Sequence, residues 1–232
     1  MNSDGLMKLS IGLSGALVGF LLAQIGTTIR AYFQRVKTLK LLIEELKDID
    51  RESTRLLYFY SRNLQLYGAQ GFVESAAIGI SAPIFSNYYR DVLLHLNQSQ
   101  RISFQMIHGL VGAQNSVLSR LENLCSATRK EHRANGLSAE FLRCVEELGE
   151  LTKHGYSNCA IIRWHIDFHL KNQGDPNLSP GTEDHRAYLR YLESVIKEMN
   201  RTIETGKTIS KETFETIYSP DDFEAPLNNH SR

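Results

Sequence analysis

Residues Leu9 to Ile29 form a run of 21 positions without an ionisable side chain, set between Lys8 and Arg30. At about 1.5 Å rise per helical residue the run is roughly 31 Å long, matching the ~30 Å hydrocarbon core of a bilayer. A cleaved secretory signal has a shorter apolar core that ends in small residues at a cleavage site. Here the residues that follow, Arg30-Ala31-Tyr32-Phe33-Gln34-Arg35, continue as helix. The sequence therefore predicts an uncleaved signal anchor rather than a cleaved signal or a buried soluble helix. Residues 1–8 form its short flank and residues 9–29 a transmembrane helix. No other segment reaches spanning length, because the apolar stretch from Ala76 to Phe85 is short and holds Gly79 and Pro83. The expected protein is single-pass.

Cations that flank a spanning helix stay on the cytoplasmic side. Lys8 precedes the run, whereas Arg30, Arg35, Lys37 and Lys40 follow it, so the large C-terminal domain is expected to face the cytoplasm. Attraction to anionic headgroups accounts for that basic cluster. Cys125, Cys144 and Cys159 are an odd and widely spaced set, which suits reduced, buried thiols better than a disulfide framework. Within the run, Gly12, Ala16, Gly19, Ala23 and Gly26 recur at spacings of four and three, and Gly15 with Gly19 adds a GxxxG pair. Small residues on one face let helix backbones approach closely in lipid, so Gly12, Gly15, Gly19 and Gly26 are the candidate transmembrane association residues.

From Arg30 to Tyr67 the chain has neither Pro nor Gly. Val36, Leu39, Ile43, Leu46, Leu57, Tyr60, Leu64 and Tyr67 keep one a/d register, with Asp50 and Ser53 in polar slots. Residues 30–67 are expected to continue the membrane helix as a long juxtamembrane amphipathic helix. Its seam is expected to pack on later helices of the same chain in preference to a coiled coil with a second copy. Residues 68–82, rich in Gly and Ala, read as a loop. Pro83 suits the first turn of a helix, and Asn97-Gln98-Ser99-Gln100 reads as a polar break before a helix over about 101–130. Asn135-Gly136 is a stop signal, Ser138 a cap for a helix over about 139–171, and Thr182 a cap for another ending near Gly206. Residues 83–217 thus make a helical bundle domain, followed by a flexible tail over 218–232. The predicted fold is all-α: one transmembrane helix, its amphipathic continuation, and an antiparallel bundle of four or five helices.

With 26 basic and 26 acidic side chains the formal charge is zero, so no global field points to nucleic acid as a partner. His165 and His169, one helical turn apart, are weak candidate metal ligands. His154 returns to their side of the wheel but lies some 16 Å away along the axis, and side chains beside the core are the commoner role for such histidines. The same helix carries two apolar stripes, one through Phe141, Val145, Leu148, Cys159, Ile166 and Leu170, the other through Ile161, Trp164 and Phe168. Such a helix is either central in its bundle, the favoured reading, or presents Ile161, Trp164 and Phe168 to a partner. Glu44, Glu45, Asp48 and Asp50 are expected on solvated faces.

Phosphate-binding loops, nucleophile elbows, HExxH and Cys-x-x-Cys motifs are all missing from the sequence. No catalytic residues and no cofactor are assigned. The leading reading is a non-enzymatic, membrane-anchored helical scaffold or adaptor whose cytoplasmic bundle self-associates or binds a protein partner. The alternative is a membrane-bound sensor or effector, with a ligand-binding bundle or a membrane-active oligomer. A metal-dependent enzyme using the histidine helix comes third.

Overall fold

Without Pro or Gly after Gly26, nothing interrupts helical hydrogen bonding until Gly68. In the computed structural model, which describes residues 3–71 and 77–209 with side chains from Leu17 onward, α1 runs unbroken over Ser3–Gly68. The segment expected to span a membrane and its amphipathic continuation are one helix. Four more follow among the described residues: α2 (Pro83–Val92), extended by a 3₁₀ turn over Leu93–His95, then α3 (Gln98–Asn135), α4 (Ala139–Lys171) and α5 (Glu183–Thr208). Among the described residues there is no strand. The chain is all-helical.

Two compact units divide it. Among the described residues the first holds 3–45 and 83–95, the second 46–71, 77–82 and 96–209. In the first, Pro83 sits where its missing N–H would have no helical partner anyway. The Glu45 carboxylate, 5% exposed, accepts the next two backbone N–H groups, those of Ile84 at 2.5 Å and Phe85 at 2.9 Å. Glu45 is thus not on a solvated face as its neighbours suggested. A carboxylate at a helix N-terminus both satisfies free donors and complements the dipole.

In the second unit α4 is central and antiparallel to its neighbours. Along α3, Ser103 meets His169 and Arg120 meets Glu147. Along α1, Asp50 meets Arg163 and Tyr60 lies against Gly155. Along α5, Tyr188 meets Trp164 and Tyr191 donates to the Ala160 carbonyl. The core comprises Leu46, Ile49, Leu56, Tyr60 and Leu64 of α1, Phe104, Ile107 and Leu121 of α3, and Leu148, Ile162 and Ile166 of α4. On α1 the buried stripe is wider than the a/d register: Leu42, Ile49 and Leu56 join it, Asp50 is half-buried beside Arg163, and Val36 is 48% exposed. On α3 the buried stripe runs through Val111, Gln114, Leu118 and Cys125, with Leu110, Val117 and Leu124 half-buried on its shoulder.

Helix ends follow local chemistry. Asn97 and Gln100 form a reciprocal capping box, so the polar tetrad begins α3 three residues earlier than expected. Gly136, at φ 64°, follows the last residue of α3, and Ser138 and Thr182 cap α4 and α5 through the N–H groups of Phe141 and His185. Helix α5 passes through Gly206 to Thr208, because that glycine faces the backbone of Gln65 rather than ending the helix.

Among the described residues no helix is long and apolar enough to cross a membrane. Of the expected 9–29 span, the side chains of residues 9–16, including Gly12 and Gly15, lie outside the described residues. Residues 17–29 alone measure about 20 Å, short of a bilayer core. The last residues of the expected bundle domain, 210–217, and the tail over 218–232 also lie outside the described residues.

Candidate functional site

Two places in the chain concentrate chemistry: the first part of α1 and the histidine segment of α4. On α1 every residue from Leu17 to Lys37 is exposed. Leu17, Val18, Phe20, Leu21, Leu22, Ile25 and Ile29 each expose half or more of their surface. At 100° per residue these large side chains share one broad face, while Gly19, Ala23 and Gly26 occupy the opposite one. A Cβ built on Gly19 or Gly26 would meet nothing within 4 Å. The small face is open.

On α4, helical periodicity carries His165 and His169 inward to 2% and 1% exposure, while His154 stays exposed. The two buried imidazoles therefore belong to the core and not to its boundary. His169 Nδ1 shares a 2.8 Å hydrogen bond with the Ser103 hydroxyl, and the Phe104 ring meets the imidazole edge-on at 4.5 Å. His165 stands perpendicular to Trp164 at 5.2 Å and tilts against Tyr188 at 4.9 Å. Burial pulls both imidazoles down to about 4, so both are neutral near pH 7. Among the described residues no three His, Cys, Asp or Glu side chains are placed to hold one metal ion.

A serine hydroxyl hydrogen-bonded to a histidine is the arrangement of an activated nucleophile. Ser103 is only 4% exposed, however, so no substrate carbonyl can approach its oxygen without opening the bundle. The pair satisfies two buried polar groups, which otherwise cost about 1–3 kcal/mol each.

Trp164, half-buried, stacks on Phe168 at 5.3 Å with rings 9° apart, and Tyr188 and Tyr191 of α5 lie 4.8 and 6.3 Å from it. The second apolar stripe of α4 is thus met by α5, with Phe168 buried and Ile161 half-buried.

Other polar groups are structural in geometry. Gln114, fully buried, donates from Nε2 to the Tyr60 hydroxyl at 2.7 Å, and burial pushes that phenol well above its usual range. Burial likewise raises the Cys159 thiol, against the lowering influence of Arg55 and Arg163. Cys125, Cys144 and Cys159 are all buried and free. A protonated, buried thiol is a poor nucleophile. Asn115 clamps the loop after residue 77, accepting from the Ile80 N–H at 2.9 Å and donating to its carbonyl at 2.8 Å. Beside it opens a cavity of about 350 Å³ lined by Phe59, Gly79, Leu118 and Leu121, with Glu122 as its ionisable group.

No protein-family model, curated protein or solved structure matches this chain. Its chemistry is therefore read from its own side chains. Sequence periodicity located the histidines on one helix face but missed Ser103, Gln114 and Glu45. Each is a polar residue at an otherwise apolar helical position, and that mismatch was the available signal.

Proposed function

We propose that this protein is a non-enzymatic, membrane-anchored helical scaffold, in which α1 passes through the bilayer and carries the four-helix unit on its cytoplasmic side. The observation that supports the reading best is the exposed apolar surface of α1. Large side chains from Leu17 to Ile29 stand open, and the sequence continues the uncharged run back to Leu9. In water that surface would be an association liability, whereas in hydrocarbon it is the required outer face. The cation count, four after the run against Lys8 before it, supports a cytoplasmic bundle. Self-association through the open Gly19 and Gly26 face is the scaffold's proposed first contact.

The burial of His165 and His169, the hydrogen bond that ties His169 to Ser103, and the raising of the Cys159 thiol by burial support a structural rather than catalytic role for the bundle. Fractionation tests the anchor. The full chain should sediment with membranes and resist alkaline carbonate extraction; release into the carbonate supernatant would refute it.

A further inference from the structure

We infer that the segment from Arg30 to Lys40 is a binding site for anionic phospholipid headgroups, an assignment that rests on the membrane-anchor reading of α1. Arg30, Arg35, Lys37 and Lys40 lie within about 15 Å of helix, beginning where the apolar run ends, and their long side chains reach back towards a headgroup layer of roughly 5–8 Å on that side of a bilayer. All four are exposed, and none forms a salt bridge with a described residue. Between Asp4 and Glu44 the chain has no acidic residue at all, so no carboxylate on α1 neutralises the cluster from within that stretch.

The angular arrangement identifies the kind of surface. At 100° per residue Lys37 lies about 20° from Arg30, while Arg35 stands about 140° to one side and Lys40 about 80° to the other. A helix lying flat on a membrane gathers its cations on one face opposite an apolar one. Cations distributed around the axis suit a helix that passes end-on through a layer of anions, each side chain meeting a different lipid. Tyr32 and Phe33, 61% and 66% exposed and in edge contact at 5.9 Å, sit between Arg30 and Arg35. Aromatic rings are enriched at that depth, at the boundary of hydrocarbon and headgroup. An acidic soluble protein would match the charge, but it would leave the exposed rings and the apolar run beside them in water.

Lipid retention tests the site. The full chain is reconstituted in phosphatidylcholine and phosphatidylserine vesicles at about four to one, extracted in mild detergent and purified, and the bound phospholipid is quantified by class. The ratio of bound phosphatidylserine to bound phosphatidylcholine is expected to exceed its bulk value by about fivefold or more. The excess should shrink when salt rises from about 0.05 to about 0.5 M. It should vanish in R30Q/R35Q/K37Q/K40Q, whose helix is retained because glutamine has nearly the propensity of the residues it replaces. It should persist in R30K/R35K. A wild-type chain that resists carbonate extraction yet carries lipid in the bulk ratio overturns the headgroup site and leaves the anchor standing. A chain released by carbonate overturns both. Should the quadruple variant misfold, the wild-type ratio and its salt series decide alone.

Discussion

A buried imidazole is a proton-linked element of stability, and this bundle holds two of them on one helix. His165 and His169 are pulled down to about 4 from an ordinary 6.5 by burial, and His108 is lowered likewise. The unfolded chain therefore binds more protons than the folded one between these values, so stability is complete above about pH 6.5 and falls as pH drops towards 4. Each histidine contributes up to about 3 kcal/mol to that fall. Urea denaturation at pH 7 and pH 4.5 should show H165Q/H169Q losing clearly less stability on acidification than wild type; equal losses would mean that the two imidazoles are accessible in the fold. Trp164 offers a second test at this scale. Its contacts with Phe168, Tyr188 and Tyr191 predict that Trp164→Ala lowers stability by about 3 kcal/mol. It is the sole tryptophan, so its emission reports on this contact directly. Red-shifted, freely quenched emission with an unchanged unfolding midpoint would instead leave the Ile161, Trp164 and Phe168 stripe open for a partner.

Helices approach one another as closely as their smallest contacting residues permit, and glycine sets the distance at several crossings here. A Cβ on Gly206 would stand 2.2 Å from the Gln65 carbonyl oxygen, and one on Gly155 would stand 2.1 Å from the Tyr60 ring, itself held by Gln114. By contrast, Gly109 and Gly112 on α3 face open space. Alanine normally favours a helix over glycine by about 1 kcal/mol. Gly109→Ala and Gly112→Ala should therefore raise the thermal midpoint, whereas Gly206→Ala should lower stability by about 2 kcal/mol or more as the backbones are forced apart. Matching shifts at all three positions would mean that α1 and α5 do not meet there. In α1, Gly19 also faces open space, but for the proposed reason that a second helix is to fill it. Gly19→Ile should then abolish self-association in a membrane two-hybrid assay, because a β-branched side chain occupies the partner's place. Undiminished association would remove the glycine face from the scaffold.

For the whole molecule, the flanking charges predict which side of the membrane the bundle occupies. An export-dependent reporter fused at the C-terminus should be inactive, and Cys125, Cys144 and Cys159 should be recovered as thiols; an active reporter would invert the orientation. The bounds of α4, the starts of α5 and of the helix at Pro83, and the caps at Ser138 and Thr182 were legible in the sequence. These features depend on local backbone chemistry, on side chains that reach only three or four positions along the chain. The all-helical class was legible for the same reason, from periodicity alone. Tertiary structure decided what periodicity cannot weigh. Gln114, Ser103 and Glu45 are polar, and only a partner brought from another helix or from a distant backbone N–H makes their burial tolerable. Gly206 has the local signature of a helix stop, yet α5 continues through it because Gln65 needs the space. The histidines moved from boundary to core because α3 and α5 both close over α4, a fact about neighbours that one helix does not contain. Local sequence determined where each helix begins, and long-range packing decided which of its faces is inside.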